Sequence, residues 1–218
     1  MTEFAICANE YLKKNTKGYY DFDYVGYGQP ENPDFLNWLK NTFNNESILK
    51  LERSRQLVEK TLCKAIPEIL SKEGITTCVL ACVPRAKMLS KYHTNQIMFI
   101  EAVSRSADKL NLIDGAYCIK RYKDTKTTHL GRAKDLTWVA VGGDDEGNDG
   151  SMPYIGITKD TCIIENDLIQ GKTVILVDDI YTRTVNIDED CIQALYDAGA
   201  EKVIFYAVAK TRRKNEVF

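Results

Sequence analysis

Val174-Ile-Leu-Val-Asp-Asp-Ile-Tyr-Thr-Arg-Thr-Val-Asn186 is the stretch whose reading decides the fold. Its first four residues are apolar and three of them are β-branched, the pattern of a strand buried on both faces. Asp178 and Asp179 arrive where such a strand is expected to reach the surface. A helix should follow, with Asn186 placed to cap it and Glu189 three residues on as the partner in a capping box. Ile187, Cys191 and Leu195 recur at helical spacing until Gly199 closes the helix. A strand, an acidic turn and a helix N-terminus in succession make a site for an anion and a polyol, because backbone N–H groups face outward there. A phosphorylated sugar carries both features.

Working towards the N-terminus, Gly74 ends a helical region and Thr76 to Val83 reads as the first buried strand of the core. On that strand Cys78 and Cys82 fall on one face, where buried thiols act as small apolar side chains. Pro84-Arg85-Ala86-Lys87 follows, a turn with two cations suited to a pyrophosphate, since Arg can hold two oxygens and Lys adds a point charge. Taken alone it is more simply a solvated basic helix start. If the two strands are parallel, both turns lie at the same end of the sheet, and the ligand reading gains. Between them, Leu89, Tyr92, Ile100, Val103, Ala107 and Leu110 keep helical spacing, and Ala116 to Arg121 reads as a second strand. Tyr154 to Ile157 and Cys162 to Glu165 look like short strands, and Lys202 to Ala209 is another buried one. Strands alternating with helices predict an α/β fold with a doubly wound, mainly parallel sheet.

In order along the chain, these residues resemble the type I phosphoribosyltransferases. The family's signature for phosphoribosyl pyrophosphate (PRPP) is an apolar strand, two acids, an aliphatic residue, any residue and a Thr-Thr-Gly-x-Thr loop. Asp178, Asp179, Ile180 and Thr182 match it, while Arg183, Thr184, Val185 and Asn186 stand at the altered positions of the loop. Val83-Pro84-Arg85, Asn95-Gln96, Ile119 to Thr125 and Leu130-Gly-Arg132 resemble the ComF branch, without that branch's N-terminal zinc-binding cysteines. The resemblance covers about residues 76 to 212. It implies transfer of a phosphoribosyl group to a nitrogen acceptor with release of pyrophosphate. Asp178 and Asp179 would serve ribose hydroxyls and Mg²⁺, and Arg85 and Lys87 the pyrophosphate. Thr182 and the amides of Arg183, Thr184, Val185 and Asn186 would serve the 5-phosphate, and residues 123 to 135 would close over the centre. The alternative is a catalytically inactive phosphoribosyltransferase fold acting as a protein-binding, immunity or regulatory module. The acids Asp188, Glu189 and Asp190 suit the first turn of a free helix and repel a phosphate there. A β-branched Thr184 is costly if its position needs positive φ.

The N-terminal third carries no motif of its own. Residues 1 to 33 read as irregular or strand pieces, Asp34 to Phe43 as a short helix, and a longer helix follows Asn45 with Ile48, Leu51, Arg55, Val58, Leu62 and Ile66 on one face and Pro67 kinking or dividing it. The expected division is a helical N-terminal cap or hood over residues 1–75, open to a protein partner, and a core over residues 76–218. The chain has 218 residues, 44% hydrophobic and 28% charged, an ordinary globular composition with room for a substantial core. Its net charge of -2 argues against dominant nucleic-acid binding, and the absence of a long apolar run or basic leader predicts a cytoplasmic protein without a membrane span. Seven cysteines, no Cys-x-x-Cys and two histidines do not compose a disulfide framework or a zinc site. The Gly- and acid-rich run 142–150 reads as an exposed turn rather than a calcium loop.

Overall fold

In the computed structural model, which describes residues 1–41, 45–125 and 153–212, the signature strand lies in the middle of a sheet. The sheet has six strands in the order β1-β2-β8-β7-β3-β4: β1 Thr2–Ile6, β2 Thr16–Tyr24, β8 Lys202–Thr211, β7 Thr173–Tyr181, β3 Val79–Cys82 and β4 Ile113–Gly115. All neighbours are parallel except β1 and β2. β7 is central because it is apolar on both faces: Val174, Ile175, Leu176 and Val177 are fully buried.

The helices divide between the faces. α1 Asp34–Lys40, α2 Ile48–Glu73 and α3 Thr94–Lys109 pack with Ile175, Val177, Ile204 and Tyr206, while α6 Ile187–Asp197 packs with Val174, Leu176, Val203 and Phe205. The second face also carries an antiparallel ribbon of β5 Ile119–Arg121 with β6 Cys162–Ile164, together with the short α4 Ile157–Thr161 and α5 Asn166–Ile169. Alternation from Val174 to Val177 sends odd-numbered side chains to the first core and even-numbered ones to the second, and the order is reversed at Ile180 and Tyr181, beyond the acid pair.

α2 begins at Ser47, whose side chain accepts the Lys50 N–H at 3.4 Å, and ends at Gly74 with φ 65°. Its buried face carries Leu51, Arg55, Val58, Leu62 and Ile66 of the expected row, while Ile48 in the first turn is exposed, and the helix continues through Pro67 undivided. α3 starts at Thr94, after a single 3₁₀ turn at Leu89–Lys91. Tyr154 to Ile157 is a turn leading into α4 rather than a strand, because Gly156 with φ 90° breaks the extended run. The expected strand from Ala116 is shorter, with a turn between β4 and β5.

The main correction concerns the first residues. α1 and α2 are the expected N-terminal helices, but β1 and β2 are not part of a cap: β2 pairs with β8 in parallel over Gly18↔Phe205 to Tyr24↔Thr211, so the central sheet runs across the expected boundary. Phe4 of β1 lies against Gly18, where a Cβ would come within 2.6 Å of its ring. Residues 142–150 and 126–135, expected as an exposed turn and part of a closing segment, lie outside the described residues.

Candidate functional site

β3 and β7 run side by side in parallel, paired from Val79↔Val174 to Cys82↔Val177, and the Val83 N–H donates to the Val177 carbonyl at 2.9 Å. The Pro84–Lys87 turn and the acid pair therefore meet at the carboxyl end of the sheet, where α/β folds hold ligands. The Arg85 guanidinium reaches across, Nη1 to Asp179 Oδ2 at 2.6 Å. Lys40, from the end of α1, reaches Asp179 Oδ1 at 2.9 Å, and the Ile180 N–H donates to the same oxygen at 2.6 Å. Asp179 is 1% exposed.

The sequence placed both acids at a strand end, and this is corrected: β7 continues to Tyr181 because β8 stays paired with it through Ile180↔Ala209 and Tyr181↔Lys210. Burial alone would raise the Asp179 pKa, but Arg85 and Lys40 beside it hold the carboxyl well below the usual range. Asp178, its neighbour, lies instead against Asp188 of α6. Burial and then the charge of Asp179 push the Asp178 carboxyl up to about 6. Burial and then the charge of Asp178 push Asp188 well above its ordinary value, and its Oδ1 is buried without a hydrogen-bond partner among the described residues.

This arrangement has a pH signature. A folded-state pKa of about 6 for Asp178 means that the folded chain keeps a proton which the unfolded chain releases near its ordinary value of about 4. Stability should therefore rise as pH falls from about 6 to about 4. Asp179 has the opposite sign: its contribution is complete above about pH 4 and is lost as pH falls further. Asp178→Asn is expected to stabilise the chain by about 1–2 kcal/mol at pH 7.5 and to flatten the change between pH 6 and 4 in thermal melts. A variant that melts lower than wild type at pH 7.5 would show that the carboxylate is stabilising.

The turn after β7 is only partly the expected phosphate cradle. Val185 N–H donates to the Thr182 carbonyl at 2.9 Å, closing a turn and occupying one of the expected amides. The Thr182 hydroxyl shares a 2.7 Å hydrogen bond with that of Thr211, while Arg183 and Thr184 are exposed. The left-handed residue is Asn186, φ 61°, not Thr184, so the β-branched side chain carries no positive-φ strain. Asn186 stands at the N-cap of α6 as expected, its carbonyl accepting the Asp190 N–H at 3.1 Å, but its side chain makes no cap bond; its Oδ1 accepts from Asn9 Nδ2 at 3.2 Å. Glu189 completes no capping box; it accepts from the Tyr181 hydroxyl at 2.8 Å, and burial raises its pKa. Asp190 accepts the N–H groups of Gly156 and Thr158 at 2.6 and 2.7 Å. All three first-turn acids are thus buried and turned to partners elsewhere, rather than solvated at a free helix end.

The Arg85 turn is held from behind. Its N–H donates to the Tyr92 hydroxyl at 2.7 Å, and its carbonyl accepts from Arg121 Nε at 2.6 Å, while Arg121 Nη1 donates to Thr161 Oγ1. Thr125 N–H donates to the Ala86 carbonyl at 2.7 Å and Asp124 accepts the Met88 N–H at 2.8 Å. Asp124 and Thr125, expected in a mobile loop, are thus anchored to the turn, and the charges of Lys91 and Lys87 act on Asp124. Arg85 Nη2 is buried and has no hydrogen-bond partner among the described residues, so the guanidinium keeps donor capacity for an incoming acceptor. Asn95 does not touch the acids; it ties α3 to α1, and Gln96 Oε1 accepts the His93 N–H at 3.1 Å at the start of α3. Sequence reading missed Lys40, for which only the charge was visible; it named Asp188 as a solvated first-turn acid and quoted Arg121 within Ile119 to Thr125 without giving it a role.

Among the described residues no three His, Cys, Asp or Glu side chains are grouped to hold a metal ion. The oxygen donors of Asp178 and Asp188, one of them unpartnered, fit Mg²⁺ of the kind that takes one or two carboxylates and completes its shell with water and ligand phosphates. Among the described residues no helix is long and apolar enough to cross a membrane. Neither the protein-family models nor the curated proteins contain a match to this chain.

Proposed function

We propose that this chain is a phosphoribosyltransferase-like protein that binds PRPP with Mg²⁺ and transfers the phosphoribosyl group to a nitrogen acceptor. One observation carries the reading: across parallel β3 and β7, Arg85 meets Asp179 at 2.6 Å while a second guanidinium nitrogen stays buried and unpartnered. Cation and acid pair are what the two ends of such a ligand need, a pyrophosphate on one side and ribose hydroxyls on the other.

In the reaction the bond from C1 to the pyrophosphate oxygen breaks, its electron pair leaving with pyrophosphate. The nitrogen lone pair forms the new bond to C1, and the nitrogen loses its proton to water. Asp178 and Asp179 accept hydrogen bonds from the 2- and 3-hydroxyls and face the positive charge that develops on the ribose ring. Arg85, with Lys87 on the same turn, binds the departing pyrophosphate. Thr182 and Arg183, with the backbone turn that opens α6, bind the 5-phosphate. Mg²⁺, when bound, supplies charge that neutralises the pyrophosphate.

A second reading is supported by the same contacts. Arg85 and Lys40 already satisfy Asp179, and Asp178 already meets Asp188, so the fold could persist as a binding-only module with a protein partner. Calorimetry with PRPP and Mg²⁺ separates them. Saturable heat that disappears with ribose 5-phosphate alone is expected of the transferase-like reading. A cooperatively melting protein that gives no heat retires it in favour of the second.

A further inference from the structure

Asp179 is met by two cations, one on each carboxylate oxygen, and both also act on the neighbouring Asp178. Arg85 takes Oδ2, while Lys40 and the Ile180 amide take Oδ1. The Lys40 side chain is only 15% exposed. Holding an ammonium out of water is unfavourable unless it has strong partners, and Asp179 accepts one of the three hydrogen bonds it can give. The backbone around Lys40 is fixed for the purpose: Asn95 Nδ2 of α3 donates to the carbonyls of Trp38 and Asn41, at 3.0 and 2.7 Å, on either side of Lys40 in sequence. Lys50 Nζ lies 3.8 Å over the Trp38 ring and holds the same turn from its other side. Arg85, facing Lys40 across the carboxylate, still has its buried, unpartnered Nη2.

Two cations held on the two oxygens of one carboxylate are spaced to grip two oxygens of one phosphate group, since guanidinium groups bind carboxylate and phosphate with the same forked geometry. We propose that Lys40 is a pyrophosphate-binding residue, which with Arg85 forms a two-cation clamp that exchanges Asp179 for the phosphate oxygens of the ligand. The inference rests on the phosphoribosyltransferase-like reading and extends it. Asp179 is the occupant of the clamp in the free protein. Arrival of pyrophosphate releases its carboxylate, which then becomes available to ribose hydroxyls, so one end of the ligand prepares the site for the other. The clamp also makes the site a joint product of α1 and the sheet.

The test is calorimetry on the full chain, with inorganic pyrophosphate in the absence of divalent cation and with PRPP plus Mg²⁺. Lys40→Met is expected to weaken both about tenfold or more, the loss of a charged hydrogen bond, and Lys40→Arg to restore much of it. Asp179→Asn is expected to act in the opposite direction on pyrophosphate alone, binding it several-fold more tightly because the clamp has lost its competitor. Should Lys40→Met prove unstable, the Asp179→Asn titration, run in the cold, decides: unchanged or weaker pyrophosphate binding overturns the clamp. Wild type and Lys40→Met binding PRPP equally would reduce Lys40 to a counter-ion and leave the site reading intact. Wild type binding neither ligand would remove the site reading and the clamp together.

Discussion

Asp179→Asn should lower the stability of the free protein by about 3 kcal/mol, because it leaves Arg85 and Lys40 almost buried with no carboxylate between them. For a chain of this length that is a fall of about 6–12 °C in Tm. A solvent-exposed acid would suggest almost no loss from such a change, about 0.5 kcal/mol at most. The 1% exposure of Asp179 is what reverses that expectation. The neighbouring Asp178→Asn has the opposite sign, so the double substitution should fall between the two singles. Urea unfolding at neutral pH measures all three; an Asp179→Asn midpoint equal to wild type would mean that the cations rehydrate without penalty.

Removing residues 1–24 should abolish cooperative folding altogether. The deletion takes away β1 and β2, uncovers the whole edge of β8, and removes Ile6, Leu12 and Tyr19 from the two cores. It also strips partners from Glu73, which accepts from the Tyr19 hydroxyl at 2.6 Å and pairs with Lys17 at 2.8 Å and Lys202 at 2.7 Å. An exposed, apolar parallel edge is a template for aggregation. The truncated chain is expected to be insoluble, or to lose the sharp thermal transition and bind a hydrophobic dye. A soluble, cooperatively melting fragment would restore the N-terminal segment to the status of a detachable cap. A search for protein partners should therefore use surface substitutions and not this deletion.

The central strand and its two neighbours in function were legible because the signal is local. Four apolar residues before Asp178, and eight residues of strand pattern before Pro84, fix two strands, and parallel pairing of such strands brings Arg85 to the acids. α2 and α3 were legible from spacing for the same reason. β2 was not, because Tyr19-Tyr-Asp-Phe-Asp-Tyr24 alternates imperfectly, and what makes it a strand is the partner β8 at the other end of the sequence. The acids of α6 were misread because charge usually marks solvent; here Gly156 and Thr158 supply donors to Asp190 from 34 and 32 residues away, and the Tyr181 hydroxyl turns to Glu189 from the end of β7. Lys40 had nothing to distinguish it, since its meaning lies in Asp179, 139 residues away.

The pairing of β2 with β8 also sets the order in which this molecule can come into being. Tyr206 donates to Asp21 at 2.6 Å across 185 residues, and β8 is the strand that lies between β2 and the rest of the sheet. On a growing chain, β2 is made early and waits through the synthesis of α1, α2, β3, α3 and β7 before its partner exists. Closing so long a loop late is slow, and until it closes the apolar side chains of β2 and the edge of β7 are open to other chains. The helices of the first face can gather with β3 during that wait, but the clamp around Asp179 forms only when β7 has joined them. Competence at the site is thus a late event in folding, and the interval before it is when the chain most needs shielding from its neighbours.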